Sequence, residues 1–160
     1  MERYELALEK AKKEIGIADH MINVTYKLVN DPKMLISVIS RVMDSLTNSL
    51  AAVLLYEREY KRIPPFEENF DSMFNLFKAR CTRRYNVNIE YITLIQEIRD
   101  ITSLHKKSPV EFTRQDRLVI CNDRFRIKTV SIDNIKNYIN KAKLFIRESE
   151  NMVRRNAGRD

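Results

Sequence analysis

The stretch between Pro32 and Arg62 leaves few folds open to this chain. Asp31 is a natural N-cap, and Pro32 fits the first helical position, where a missing N–H costs nothing. Ile63-Pro64-Pro65 cannot continue a helix. Between these signals lie roughly thirty residues without an interior glycine or proline, about 45 Å of helix at 1.5 Å per residue. Leu35, Ile39, Val42, Leu46, Leu50 and Val53 form one apolar stripe. Ile36, Met43, Leu54 and Leu55 widen it until much of the circumference is apolar. A helix of that kind is wrapped by others rather than laid on a surface. Its polar seam is narrow and made of small residues, among them Ser37, Ser40, Asp44, Thr47 and Asn48. The segment is read as the central helix of an all-α bundle.

Four further helices complete the expected bundle. The first spans about Tyr4 to Val29, with Leu8, Ala11, Ile15, Ala18, Ile22 and Val29 recurring at three- and four-residue steps. Asn30 ends it, and Asp31 starts the central helix with almost no loop, so the two are antiparallel neighbours. The third helix is placed at Phe66 to Arg84, with Glu67 and Glu68 in its first turn. Its ridge of Phe66, Phe70, Met73, Phe74 and Phe77 reads as core rather than as a base-stacking platform. The fourth spans Ile89 to Lys106, with Asn86 or Asn88 as cap, Tyr91, Leu94, Ile98, Ile101 and His105 inward, and Pro109 as terminator. Ser131 caps the last helix, which runs from Ile132 into Arg154-Arg155.

One β-hairpin is expected between the last two helices. Leu118 to Val130 pairs across an Asn122-Asp123 turn, setting Ile120 opposite Phe125 and Leu118 opposite Ile127. In that register Leu118, Ile120, Phe125 and Ile127 share one face, and Arg117, Arg124, Arg126 and Lys128 share the other. The apolar face should cover the bundle and the basic face should point outward.

The fold class is therefore a five-helix up-and-down bundle with one hairpin. Residues 1–155 are expected to form one domain, with 156–160 a frayed tail. No run of eighteen apolar residues occurs and Met1-Glu2-Arg3 does not open a signal peptide, so a cytoplasmic protein without membrane contact is expected. Cys81 and Cys121 are too few and too isolated for a disulfide framework or a zinc site, and Cys81 reads as a buried small hydrophobe. Two glycines exclude a phosphate-binding glycine-rich loop. Two histidines argue against a His-rich metal site, and no cofactor is expected. The net charge of +7 biases the partner toward a polyanion such as nucleic acid. Arg80, Arg83 and Arg84 form the strongest basic cluster of the first half, beside the hairpin residues Arg117, Arg124, Arg126 and Lys128.

One stretch carries a chemical suggestion: Arg99-Asp100-Ile101-Thr102-Ser103-Leu104-His105. An arginine, a polar residue after it and a histidine six positions on, late in an all-α bundle, resembles the R-x4–6-H motif of the HEPN superfamily. The resemblance implies a metal-independent ribonuclease built at a homodimer interface. His105 would move protons as the 2′-hydroxyl attacks the adjacent phosphate, and Arg99 would hold that phosphate, with Asp100 at the polar motif position. Imidazole titrates near neutrality, and guanidinium stays charged and binds phosphate bidentately. Six residues on a regular helix stand about 9 Å and about 120° apart, so one chain alone does not aim both at one phosphate. Asp44, in the seam of the central helix, is expected to orient Arg99.

Without the resemblance, Arg99 reads as a solvated helix residue and His105 as a core-edge histidine. Two other functions fit the same residues. One is a non-catalytic RNA-binding module using the basic hairpin and helix-end arginines. The other is a helical interaction subunit, such as the partner of a nucleotidyltransferase in a toxin–antitoxin pair.

Overall fold

Helix α1 begins as Arg3–His20, passes through a π-helical turn at Met21–Thr25 and ends as Tyr26–Val29. Asn30 closes it in the left-handed conformation at φ 54°, which asparagine tolerates at a helix end. Asp31 then caps α2, Pro32–Glu59, its carboxylate accepting the Lys33 N–H at 3.0 Å. Helices α3 (Phe70–Arg80) and α4 (Ile89–Lys106) follow. Three strands, β1 (Val110–Arg114), β2 (Arg117–Cys121) and β3 (Ile127–Ser131), precede α5 (Ile132–Ala157). The computed structural model describes residues 1–106, 110–114, 117–121, 124 and 126–157. The result is a five-helix bundle with its strands between the last two helices.

Helix ends follow their capping chemistry. Asn69 accepts the Ser72 N–H at 2.9 Å, so α3 starts at Phe70 and not at Phe66. Glu67 and Glu68 therefore precede the helix, and Glu68 instead meets Arg3 at 2.6 Å. Asn88, not Asn86, caps α4 by accepting the Glu90 N–H at 2.9 Å. Ser131 and Asn134 exchange reciprocal side-chain bonds of 3.0 Å at the start of α5. The α5 helix continues to Ala157, into the segment expected to fray, whereas 158–160 lie outside the described residues, as does Pro109.

The π turn changes which residues of α1 face inward. It takes one more residue per turn than α geometry and so offsets the phase of everything after it. Tyr26 is 7 % exposed, whereas Val29, expected on the buried stripe, is 58 % exposed.

Helix α2 is covered on most of its circumference, leaving the seam of Ser37, Ser40 and Asp44 exposed. Leu35, Val38, Leu46, Leu50, Val53 and Leu54 have no more than traces of exposed surface. By length and composition alone Lys33–Glu59 could cross a membrane, but 61 % of its most apolar window is buried against the other helices. Small residues let those helices come close: Ser45, Ser49 and Ala52 on α2, and Ala142 and Ser149 on α5, are all buried. Their hydroxyls are satisfied locally. Ser45 donates to the Val42 carbonyl at 2.7 Å, Ser49 to Ser149 at 2.9 Å, and Ser149 to the Phe145 carbonyl at 2.9 Å. Tyr4 and Tyr56 stack edge to face at 5.1 Å, placing the start of α1 beside the end of α2. Lys143 meets Asp19 at 2.8 Å and Lys12 meets Glu150, so α5 also runs antiparallel to α1.

The sheet differs from the expected hairpin in two ways. It has three antiparallel strands in the order β1-β2-β3, β1 having gone unrecognised in the sequence. Its β2–β3 register is also shifted by three positions: Leu118 pairs with Val130, Val119 with Thr129 and Ile120 with Lys128. Cys121, the last residue of β2, pairs with Ile127, the first of β3, and not with Arg124. An odd shift turns a strand over. Val130 now shares the buried face with Leu118 and Ile120, while Ile127 is 66 % exposed. The expected turn residues Asn122 and Asp123, and Phe125, lie outside the described residues.

The far end of α2 is held by a buried carboxylate. Glu57 is 1 % exposed, and Tyr85 donates its hydroxyl to it. Arg84 and Arg62 approach it at 3.4 and 3.6 Å. Burial, then this acceptor bond, raises the Tyr85 hydroxyl well above the ordinary tyrosine value. Burial also pushes the neighbouring Cys81 thiol up to about 12, leaving it inert as a nucleophile near neutral pH. Glu57→Gln should destabilise the fold by about 1–3 kcal/mol in chemical denaturation. Tyr85→Phe added to it should cost less than it does alone, because both remove one shared network.

Candidate functional site

The motif residues of α4 face different neighbours. Arg99 reaches toward α3, where its guanidinium binds Asp71 at 2.9 Å and lies 5.3 Å from the Phe70 ring centroid. His105 borders a small apolar gap lined by Ile36, Ile39, Ile101, Leu118 and Ile120, between α2, α4 and β2. Asp100 is exposed and accepts from the Gln96 side chain at 2.9 Å. Within one chain these three do not converge on a common point, as the helical spacing anticipates.

Asp44 is not the partner of Arg99. It lies on the α1 side of α2, near Glu14, Lys10 and Arg41, whereas Arg99 is on the α3 side. Arg41 binds Glu14 at 2.8 Å. Partial burial, and then the Glu14 carboxylate, push Asp44 above the usual carboxylate range.

The expected basic face also divides. Lys128 sits on the helix-facing side of the sheet and approaches Glu97 at 3.6 Å, because the register shift turned β3 over. Glu97 in turn accepts the Tyr138 hydroxyl at 2.6 Å. Arg124 and Arg126 are exposed, but they belong to the connection after β2 and not to a strand. Arg117 is exposed at the start of β2. In the other cluster Arg84 is drawn to Glu57, while Arg80 and Arg83 remain exposed.

Arg117 has company that the sequence did not announce. It borders a polar cleft of about 680 Å3 with Lys27 from the end of α1 and Lys136 from the first turns of α5. Ile22 and Tyr26 supply apolar wall, and Asp133 the one carboxylate among these lining residues. Among the described residues, none of the three cations makes an ion pair with a carboxylate. The three lie far apart in the chain, and no local motif links them. Lys27 reaches the cleft from just beyond the π turn, which carries no glycine or proline to reveal it. A second cleft, of about 620 Å3, is mostly apolar and lies along α4 beside Asp100, Leu104 and Lys128. Among the described residues, no group of His, Cys, Asp and Glu is arranged to hold a metal ion.

The state of Asp44 gives a test by pH. A carboxyl raised in the fold opposes folding once ionised, so its penalty is present above both pKa values and absent below the unfolded one. Asp44→Asn should therefore raise the melting temperature near about pH 7. The gain should fade as the pH falls toward about 4 and be absent below it, where the unfolded carboxyl is itself protonated. A gain that persisted in acid would point to packing instead.

No protein-family profile, curated protein or solved structure matches this chain, so its functional reading stands on its own residues.

Proposed function

We propose that this chain is an RNA-binding helical module whose anion site is the cleft lined by Lys27, Arg117 and Lys136. The observation that carries this reading is the contrast among its cations. Arg84, Arg99 and Lys128 each have a carboxylate within ion-pair distance, whereas the three cleft residues come together from α1, β2 and α5 without one among the described residues. Cations gathered in excess of the single Asp133 carboxylate attract phosphate and release counterions on binding it. The net charge of +7 supports a polyanionic partner, and the resemblance of Arg99–His105 to the HEPN motif supports RNA among polyanions.

Catalysis is the less favoured form of the same reading. Arg99 is already neutralised by Asp71, and His105 borders an apolar gap on another side of α4. Cleavage would require a second copy of the chain to bring its motif to this one, a homodimer joined through α4. RNA cleavage in excess EDTA, lost in His105→Ala but not in a binding-cleft variant, would move the conclusion from binding to catalysis.

Binding is tested by fluorescence anisotropy with single-stranded RNA over a range of salt concentrations. Arg117→Ala with Lys136→Ala should weaken binding across all sequences. The salt slope should shrink by up to about 0.7 for each lost phosphate contact on a single strand. Both residues lie outside the core, so melting should change little. Unchanged affinity, or no RNA binding by the parent at low salt, would favour the interaction subunit.

A further inference from the structure

The cleft has a shape and a charge that distinguish one kind of phosphate from another. Its volume of about 680 Å3 is that of a site for a small molecule rather than a track for a long strand. Its cations converge on one hollow, whereas a backbone track spreads them along a groove. Lys27, Arg117 and Lys136 against Asp133 leave a surplus of two positive charges on these lining residues. A backbone phosphodiester brings one negative charge. A phosphomonoester brings about 1.5 to 2 near neutral pH, with three acceptor oxygens in place of two.

The walls fit the remainder of such a ligand. Ile22 and Tyr26 are core residues that form the floor of the cleft, with Tyr26 retaining 7 % of its surface. The π turn brings them and Lys27 to the same hollow: Ile22 lies within it, and Tyr26 and Lys27 follow at once. An apolar floor within the same cleft as three cations suits a ligand with a weakly polar body and a doubly charged end.

We propose, on the reading above that this cleft is the RNA site, that it seats the phosphomonoester of a nucleotide, either free or at the end of an RNA chain. Lys27, Arg117 and Lys136 hold the phosphate, while Ile22 and Tyr26 flank the nucleoside. The assignment makes the protein a reader of phosphorylated ends rather than of strand interiors.

The test uses the intact chain. Calorimetric titrations with AMP, adenosine and inorganic phosphate are set beside anisotropy with one oligoadenylate carrying either a 5′-phosphate or a 5′-hydroxyl. AMP should bind at least about tenfold more tightly than adenosine or inorganic phosphate, and the phosphorylated oligonucleotide at least about tenfold more tightly than its partner. Arg117→Gln or Lys136→Gln should each reduce AMP binding by about tenfold, with the melting temperature showing that the variants remain folded. If AMP binds and neither oligonucleotide does, the monoester site stands with a free nucleotide as its ligand, and the RNA reading falls. If both oligonucleotides bind equally and AMP does not bind, the RNA reading stands and the monoester proposal is overturned. Inorganic phosphate binding as tightly as AMP overturns the nucleotide assignment.

Discussion

Everything in this fold depends on enclosing α2. A helix apolar around most of its circumference gains stability only when neighbours cover its apolar sides, and long side chains at each contact would hold those neighbours apart. Ser45, Ser49 and Ala52 answer that constraint on α2, and Ala142 and Ser149 on α5. Hydroxyls among them carry a second obligation, since a buried oxygen without a partner costs about 1–3 kcal/mol. The pair Ser49–Ser149 meets it by bonding across the helix–helix contact and passing the last bond to a backbone carbonyl. Close approach and polar satisfaction are achieved by the same two side chains.

That enclosure determines where charge can gather. Ion pairs such as Lys12–Glu150 and Lys143–Asp19 run along the outside of the helix contacts, and denser clusters of charge form at the ends. One end is closed by Glu57, which draws in Arg62, Arg84 and Tyr85. The flank of α4 is matched in the same way through Arg99 with Asp71 and Lys128 with Glu97. At the opposite end, where α1, the sheet and α5 meet, Lys27, Arg117 and Lys136 line a hollow with Asp133, and among the described residues none of the three is ion-paired. Local neutralisation, more than the total of basic residues, separates structural arginines from those available to a ligand.

Much of the bundle was legible because helix ends carry local chemistry. Asp31-Pro32, Asn88 and Ser131 act on groups within three residues of themselves, so the sequence displays them directly. The sheet was harder. Asn122-Asp123 resembles a short turn, and pairing across it aligned both faces, yet Cys121 pairs with Ile127 and the alignment was fortuitous. What decides the register is the burial of Val130 opposite Leu118, a contact with the bundle that strand patterns do not encode. The β1 signal was present in the alternation Val-Glu-Phe-Thr-Arg from Val110 to Arg114. Of the site, Arg117 was visible, but Lys27 and Lys136 were not, because only the fold brings them beside it. The Arg99–Asp71 pair was invisible for the same reason.

The π turn at Met21–Thr25 works as a phase shifter in the frame of the bundle. An extra residue in one turn rotates every later position of α1 by about 100° relative to an unbroken helix. The first part of α1 keeps its register with α2 and α5, while Tyr26 and Lys27 answer to a different angular setting. The two halves of one helix therefore carry different duties: before the turn its side chains serve the fit of the bundle alone, and after it Tyr26 serves the core while Lys27 serves the rim of the cleft. Insertion or deletion of a single residue within the turn would rotate Tyr26 out of the core and Lys27 off the rim together, while the part of α1 before the turn keeps its place.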